Sequence, residues 1–234
     1  MRKFALICCV LCGVIFRGCS REAARREACA DNLRQIWLAL NVYAGDYDGR
    51  FPPIDDRCGY LVMDGDVIFP TYLENLDVFR CPSNKTHEPL EAPYAADDVT
   101  DESYIYLGWM LSTDEEGLAL LDAYGSRDLT KRDQDMEVGP VESIAGPTNT
   151  IYRIRDGIER FYITRLMDPA AAALAQSEIP LKWGRPGNHG GTGANVLFMD
   201  GHVEFVEFPS TFPMTAKFMQ RLEEMSSRKE AMRP

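Results

Sequence analysis

The chain has 234 residues, 45% of them apolar and 26% charged, which is enough for one domain with a hydrophobic core or for such a domain with an arm. This composition excludes a mostly disordered chain. The formal net charge is −11 and no basic face is visible, which argues against a nucleic-acid-binding protein. No apolar run reaches the roughly 18–20 residues that a bilayer crossing needs, which excludes a polytopic membrane protein.

The first 18 residues have the features of a signal peptide or a short membrane anchor. Arg2 and Lys3 precede an apolar run, Phe4–Phe16, whose length is typical of a signal-peptide core. Cys19 follows Gly18, which predicts a bacterial lipoprotein site and lipidation of Cys19. A simple signal peptide, an uncleaved anchor and a misassigned start are the alternatives. We therefore expect an exported protein of the cell envelope, attached to the membrane by its N-terminus and facing the periplasm or the cell surface.

If Cys19 carries lipid, the mature chain keeps three further cysteines. An oxidising compartment favours disulfides, and Cys81 is the expected half of one. Its partner is either Cys58 or Cys29, and the spacing does not decide between them. We predict no metal site, because the chain has no Cys-x-x-Cys pair and its three histidines are scattered.

Residues 19–50 are predicted to form a long N-terminal helix, helical from Ser20 to Tyr47. The first half is rich in Ala, Glu and Arg, which are good helix formers, and we expect it to project as a stem. The second half has an apolar stripe with i, i+3, i+4, i+7 spacing, which must pack on another element. The residues of this apolar stripe are Leu33, Ile36, Trp37, Leu40, Tyr43, Ala44 and Tyr47.

Residues 51–213 are predicted to form the globular domain, with an acidic insertion at 86–142. The insertion holds 15 acidic and 3 basic residues, and we expect a solvated, loop-rich segment. Within it we predict one strand at Tyr104–Leu111 and a helical turn at Glu115–Ala123. A short helix is predicted before it, at Phe69–Leu76.

The last third of the chain is predicted to form two β-hairpins. Ile151–Arg155 and Glu159–Leu166 flank Asp156-Gly157, and Ala194–Met199 and His202–Phe208 flank Asp200-Gly201. Asp-Gly between alternating strands favours a type I′ turn, which needs positive φ at both central residues. A sheet with one apolar face needs a cover, and the apolar stripe is the obvious candidate. Residues 214–234 are predicted as a C-terminal helix and tail, with the surface helix at Pro213–Met225.

Three segments resemble prepilin-like proteins of planctomycete-type bacteria, a family similar to type II secretion pseudopilins. They are Cys29–Ala44 with the helix exit Asp46–Pro52, the Cys-Pro-Ser segment Phe79–Ser83, and Asn188–Val203. The last segment has a His followed by Asp-Gly, with ten residues between His189 and Asp200 where the family has nine. The resemblance covers residues 20–213 and is thin across the acidic insertion.

The resemblance implies an α+β fold, in which a long N-terminal helix packs on an antiparallel β-sheet. It implies structural roles for His189, Asp200, Gly201 and His202. It also implies a non-enzymatic protein that acts through contacts with other cell-envelope or secretion-system proteins, in type II secretion or pilus-type assembly. The alternative is a lipid-anchored binding module for a cation or a basic partner that enters no filament.

The N-terminus departs from the prepilin pattern. The family has a peptidase site with Gly before Phe-Thr-Leu-x-Glu, whereas this chain lacks the Gly and has Ala5 and Cys8 in place of the Thr and the Glu. We therefore expect a pseudopilin-like domain with a different export or anchoring device.

No catalytic fingerprint is present in the sequence, and we predict that the protein is not an enzyme. His189, Asp200 and His202 are close enough in sequence to meet near the ends of one hairpin, but the turn itself explains the Asp-Gly pair. A hydrolase built on them is the least favoured hypothesis. Carboxylates at Asp46 to Gly49 and at residues 133–142 suggest Ca²⁺, yet the full loop spacing is absent, so no cofactor is predicted.

Overall fold

The computed structural model describes residues 2–57, 60–85, 90–124, 132–161 and 169–231, with side chains for 21–57, 60–85, 90–124, 132–161 and 171–226. The helices are α1 (Arg2–Asp46), α2 (Gly65–Ile68), α3 (Asp114–Tyr124), α4 (Pro169–Glu178) and α5 (Ala216–Ala231). The strands are β1 (Tyr104–Ile105), β2 (Met136–Ser143), β3 (Gly146–Ile151), β4 (Pro180–Gly184), β5 (Gly193–Phe198) and β6 (Val203–Glu207). Short 3₁₀ turns lie at Leu76–Phe79, Ala96–Asp98, Ile158–Phe161 and Pro186–His189.

The main sheet is antiparallel and has the strand order β1-β4-β5-β6, while β2 and β3 form a separate two-stranded sheet. The second predicted hairpin is confirmed: β5 and β6 pair antiparallel around Asp200-Gly201, with Leu197 opposite Val203. Gly201 has φ +90°, a conformation that glycine adopts without steric cost. Asp200 does not have positive φ, so the predicted type I′ turn is wrong: the loop has three residues, Met199–Gly201, closed by hydrogen bonds between Phe198 and both Gly201 and His202. The α+β class predicted from the sequence is therefore confirmed.

The docked half of α1 covers one face of this sheet. Leu33, Ile36, Leu40, Tyr43 and Ala44 are buried and join Leu181 and Leu197 of the sheet in one hydrophobic core. Two members of the apolar stripe differ, because Trp37 is half-buried and Tyr47 is 47% exposed. The predicted packing of the apolar stripe on the C-terminal hairpin is thus confirmed.

Trp37 fixes the position of α1 at the tip of the hairpin. Its indole Nε1 donates a hydrogen bond to the carbonyl oxygen of Met199 at 3.3 Å. The ring lies so close to Gly201 that a Cβ there would be 2.4 Å from the indole. The helix ends soon afterwards, because Asp48 and Gly49 adopt positive φ.

The opposite face of the sheet is also covered, which the sequence analysis did not expect. Side chains of β5 alternate, so that Val196 and Phe198 pack in a second core with α3 and α5, whereas Leu197 faces α1. Phe218 of α5 is fully buried there. The predicted surface helix is therefore a cover of the sheet, and it begins at Ala216, where the Thr215 hydroxyl accepts a hydrogen bond from the Phe218 amide.

The first predicted hairpin is wrong. Asp156-Gly157 does form a turn, but a 3₁₀ turn follows it at Ile158–Phe161, and residues 162–166 of the predicted second strand lie outside the described residues. The residues before the turn pair elsewhere, through single bridges from Arg155 to Arg50 and from Arg153 to Trp109. Long-range pairing therefore overrides the local hairpin signal.

Two further predictions need correction. The predicted helix at Phe69–Leu76 is absent from the described residues: Phe69 before Pro70 is extended, α2 ends at Ile68 and the next helical turn is the 3₁₀ turn that begins at Leu76. The acidic insertion is not simply solvated, since every residue from Tyr104 to Leu111 is buried. Only Tyr104 and Ile105 form a strand there, and Gly108 with φ +77° interrupts the extended run. The predicted helical turn is confirmed as α3.

Candidate functional site: a buried Cys–Cys–His cluster

Three potential metal ligands from distant parts of the chain meet beneath α1. Cys29 lies on the inner face of α1, Cys81 follows the 3₁₀ turn Leu76–Phe79, and His189 ends the 3₁₀ turn Pro186–His189. All three residues are at most 3% exposed, and their two sulfurs and one ring nitrogen lie within 4.8 Å of one another. The Cys81 Sγ atom is 3.5 Å from His189 Nε2. Among the described residues, this is the one cluster of three or more such ligands.

Backbone contacts explain how the two loops reach the helix. The Cys81 amide donates to the hydroxyl of Ser103 at 2.9 Å, and Asn32 of α1 donates to the Arg80 carbonyl at 2.9 Å. The His189 turn ends at Gly190, whose φ of +71° lets the chain reverse into β5. Helix, loop and turn are therefore held in register independently of the sulfur atoms.

Glu22 orients the histidine from the outer side. The Nδ1–H of His189 donates to Glu22 Oε1 at 2.8 Å, and the Ser83 hydroxyl donates to the same carboxylate at 3.1 Å. A proton on Nδ1 leaves the lone pair of Nε2 available on the side of the sulfurs. The carboxylate thus selects the tautomer that can bind a metal or accept an S–H proton.

The inner side of the cluster is closed by an aromatic hydroxyl. Tyr104 of β1 donates a hydrogen bond to Cys29 Sγ at 3.3 Å, and Tyr104 is fully buried. Asn195 of β5 lies beside the same cysteine and anchors its helix by donating to the carbonyl of Arg26 at 2.8 Å. Cys29 is therefore surrounded by donors, which favours a sulfur that carries negative charge.

The proton affinities follow from these contacts. The hydrogen bond with Cys81 lowers the pKa of Cys29 to about 5, against the opposing effect of burial and with help from His189 and Tyr104. The same hydrogen bond, together with burial, raises the pKa of Cys81. Burial disfavours a charged His189, but hydrogen bonds to Cys29 and Glu22 raise its pKa overall. Of the two cysteines, Cys29 is therefore the one whose thiolate the surroundings favour.

Cys29 and Cys81 are free cysteines in this structure. The alternative partner, Cys58, lies outside the described residues. A Cys29–Cys81 disulfide therefore stays a prediction, as does the Cys58–Cys81 pairing. What the fold adds is that Cys29 and Cys81 are neighbours, which the spacing along the chain could not show.

The other predicted motif residues do not join the cluster. Asp200 and His202 pair with each other at the hairpin tip, where Nδ1 of His202 is 2.6 Å from Asp200 Oδ1 and the imidazole stacks on Phe198. His189 precedes the other end of β5, about 20 Å away for a strand of this length. The expectation that all three meet is therefore wrong, because the hairpin is extended between them.

The remaining predicted sites show no assembled cation site among the described residues. Asp46 accepts a hydrogen bond from the hydroxyl of Tyr72 at 3.1 Å, and Asp48 adopts positive φ at the helix end. Asp133 forms ion pairs with Arg50 at 3.7 Å and with Arg153 at 3.4 Å. These contacts give the carboxylates protein partners.

Cys19 is part of α1, but its side chain is outside those described, so lipidation stays a prediction. Within the described part of the chain, no helix combines the length and the apolar character that a membrane span requires.

The three ligand residues could each be singled out in the sequence, but their proximity could not be predicted from it. Cys29, Cys81 and His189 lie in the three segments that carry the resemblance, which was a usable signal for their convergence. Glu22 and Tyr104 were missed entirely, since nothing in their local sequence distinguishes them.

Comparison with known proteins gives one partial similarity. A family model described as a protein of unknown function (DUF1559) matches residues 20–59, which contain the docked half of α1 and its exit. No curated protein and no solved structure matches the chain. Over its N-terminal helix region the chain is thus similar to a family of planctomycete-type pilin-like proteins.

Proposed function

We propose that this chain is a non-enzymatic protein of the cell envelope that acts through contacts with other envelope or secretion-system proteins. The observation that supports this function is the packing of α1, whose apolar stripe docks on an antiparallel sheet as the resemblance to pseudopilins implies. The helix extends N-terminally as far as Arg2. Such a helix is suited to present a folded domain at a distance from the membrane.

The outer side of α1 offers a contact surface. Leu38 and Val42 lie one turn apart and are 58% and 60% exposed, opposite the buried stripe. We propose that this pair contacts a neighbouring protein of a type II secretion or pilus-type assembly. A photo-crosslinking residue at position 38 should then give one adduct of defined mass in cells. The same residue at exposed Lys217 of α5, which covers the opposite face of the sheet, is the control, and equal or absent adducts at both positions would contradict the assembly.

Membrane attachment is tested separately. We expect the mature chain in the membrane fraction, with mass spectrometry showing a diacylglyceryl Cys19 at its N-terminus. Cys19→Ala should release the protein, whereas Cys12→Ala, inside the segment that is removed, should not. A mature chain that retains Met1, or a Cys19→Ala variant that stays with the membrane, would contradict lipid anchoring.

The alternative, a lipid-anchored module for a cation or a basic partner, has less support. Acidic residues of the insertion are paired with arginines of the body: Asp97 with Arg57, Asp122 with Arg221, Asp133 with Arg50 and Asp135 with Arg155. Part of the negative charge is therefore balanced within the chain, which weakens the attraction for external cations.

A further inference from the structure

The arrangement of Cys29, Cys81 and His189 satisfies the requirements of a zinc site. We propose that these three residues bind one Zn²⁺ ion through two thiolates and the Nε2 atom of His189, with Glu22 holding the imidazole in place. The proposal goes beyond the function proposed above and does not depend on it.

The first argument is distance. In a tetrahedral zinc site, Zn–S bonds of about 2.3 Å and Zn–N bonds of about 2.0–2.1 Å place a sulfur and a nitrogen ligand about 3.6 Å apart. Cys81 Sγ and His189 Nε2 are 3.5 Å apart, and Cys29 Sγ lies within 4.8 Å of both atoms. The ligand atoms therefore need only small shifts to surround an ion.

The second argument is the hydrogen bond behind the histidine. Zinc-binding histidines commonly donate their other N–H to a carboxylate, which fixes the tautomer and the orientation of the ring. Glu22 accepts such a bond from Nδ1 at 2.8 Å and is itself held by the Ser83 hydroxyl. A purely structural histidine at this place would not require Nε2 to face two sulfurs.

The third argument is charge. Two thiolates and a neutral imidazole around Zn²⁺ give a neutral cluster, which suits a site whose ligand residues are at most 3% exposed. A disulfide between Cys29 and Cys81 would consume the Cys81 thiol and leave Nε2 of His189 without a donor on the side of the sulfurs. The surroundings of the histidine therefore fit a metal better than a disulfide.

A groove lies on the outer side of the histidine. It has a volume of about 550 Å³ and is lined by Glu22, Ser83, Arg185, His189 and Gly190, while the imidazole itself is 0% exposed. The described residues offer three ligand atoms, so we assign the fourth position to a water molecule. Binding would join α1, the Cys81 loop and the His189 turn.

The test uses the full chain, purified in detergent with a non-thiol reductant and stripped with a chelator. Titration with Co²⁺ should give a sulfur-to-cobalt charge-transfer absorption that saturates at one ion per chain and that Zn²⁺ displaces. Cys29→Ser, Cys81→Ser and His189→Gln should abolish this absorption, and Glu22→Gln should weaken affinity about 10–100-fold. His202→Gln, which alters a histidine paired with a carboxylate but remote from the cysteines, should bind normally.

The wild-type titration decides the proposal even if a cysteine variant fails to fold. Absence of stoichiometric binding in the reduced chain would overturn it, as would exclusive binding of Cu⁺ or binding that Cys58→Ser removes. Zn²⁺ should also raise the melting temperature of the stripped wild-type chain but not that of Cys81→Ser. An equal shift in both would show that the ion binds elsewhere.

Discussion

Lys182 offers a quantitative test of the packing beneath α1. It lies on β4, is 0% exposed, and its Nζ atom has no hydrogen-bond partner among the described residues. Three aromatic rings surround the ammonium group, with the ring of Phe79 at 5.1 Å and those of Tyr104 and Tyr106 at 5.9 Å. We therefore expect the protonation of Lys182 to depend strongly on folding.

The direction of the effect follows from burial. Burial lowers the pKa of Lys182 from 10.5 to about 7, and the negative charge of Asp101 opposes this change only in part. Between these two pH values the unfolded chain binds one more proton than the folded chain, so stability rises with pH across that window. The slope is about 1.4 kcal/mol per pH unit and the whole shift corresponds to about 5 kcal/mol. Below pH 7 the full cost of the buried charge is present.

Lys182→Met removes this dependence and keeps most of the side-chain volume. The stability gained by the variant over the wild type should shrink by roughly 2 kcal/mol between pH 7 and pH 9, because the folded lysine is already half deprotonated at pH 7. Urea unfolding of both proteins at constant ionic strength measures this difference, in which the other titrating groups cancel. Lys217→Met, at an exposed position of α5, is the control and should show a constant difference. A constant difference for Lys182→Met too would refute the reasoning, because the aromatic rings would then keep the lysine protonated when folded.

Two further predictions concern packing and are measured as free energies of unfolding in urea. Gly201→Ala should cost about 2–4 kcal/mol, because it combines positive φ with a clash on Trp37. The control Gly139→Ala has open space around the new methyl group and should change stability by less than about 0.5 kcal/mol. Equal losses in the two variants would contradict the docking of the indole on Gly201. Leu40→Ala should cost about 2–5 kcal/mol, since Leu40 is 0% exposed. Leu38→Ala should be nearly neutral, since Leu38 is 58% exposed. A larger loss for Leu38→Ala than for Leu40→Ala would contradict the packing of the Leu40 face of α1 on the sheet.

Much of the fold could be predicted because its signals are local. The spacing of the apolar stripe identified the face of α1 that docks, and Asp200-Gly201 identified the β5–β6 hairpin. The same dipeptide at Asp156-Gly157 led to a wrong hairpin prediction. The residues before it, Arg153 and Arg155, form single bridges with Trp109 and Arg50 rather than with the residues that follow the turn. A turn signal fixes where the chain reverses, but it does not fix which strand becomes the neighbour.

The candidate site could be predicted only in pieces. Cys29, Cys81 and His189 stood out in the sequence, but 108 residues separate the last two and no local pattern links them. Glu22 carried no signal, because a half-buried glutamate on a helical stem looks like any solvated charge. Its role appears only when the His189 turn is placed against α1.

The sequence by itself determined that the docked half of α1, α3 and α5 are helical, which face of the long helix is apolar and where the last hairpin turns, because periodicity and turn chemistry act over a few residues. Only the tertiary structure decided that helices cover both faces of the sheet and that two cysteines and a histidine share one buried point. Those outcomes depend on contacts between distant segments, whose free energy is set by packing in three dimensions.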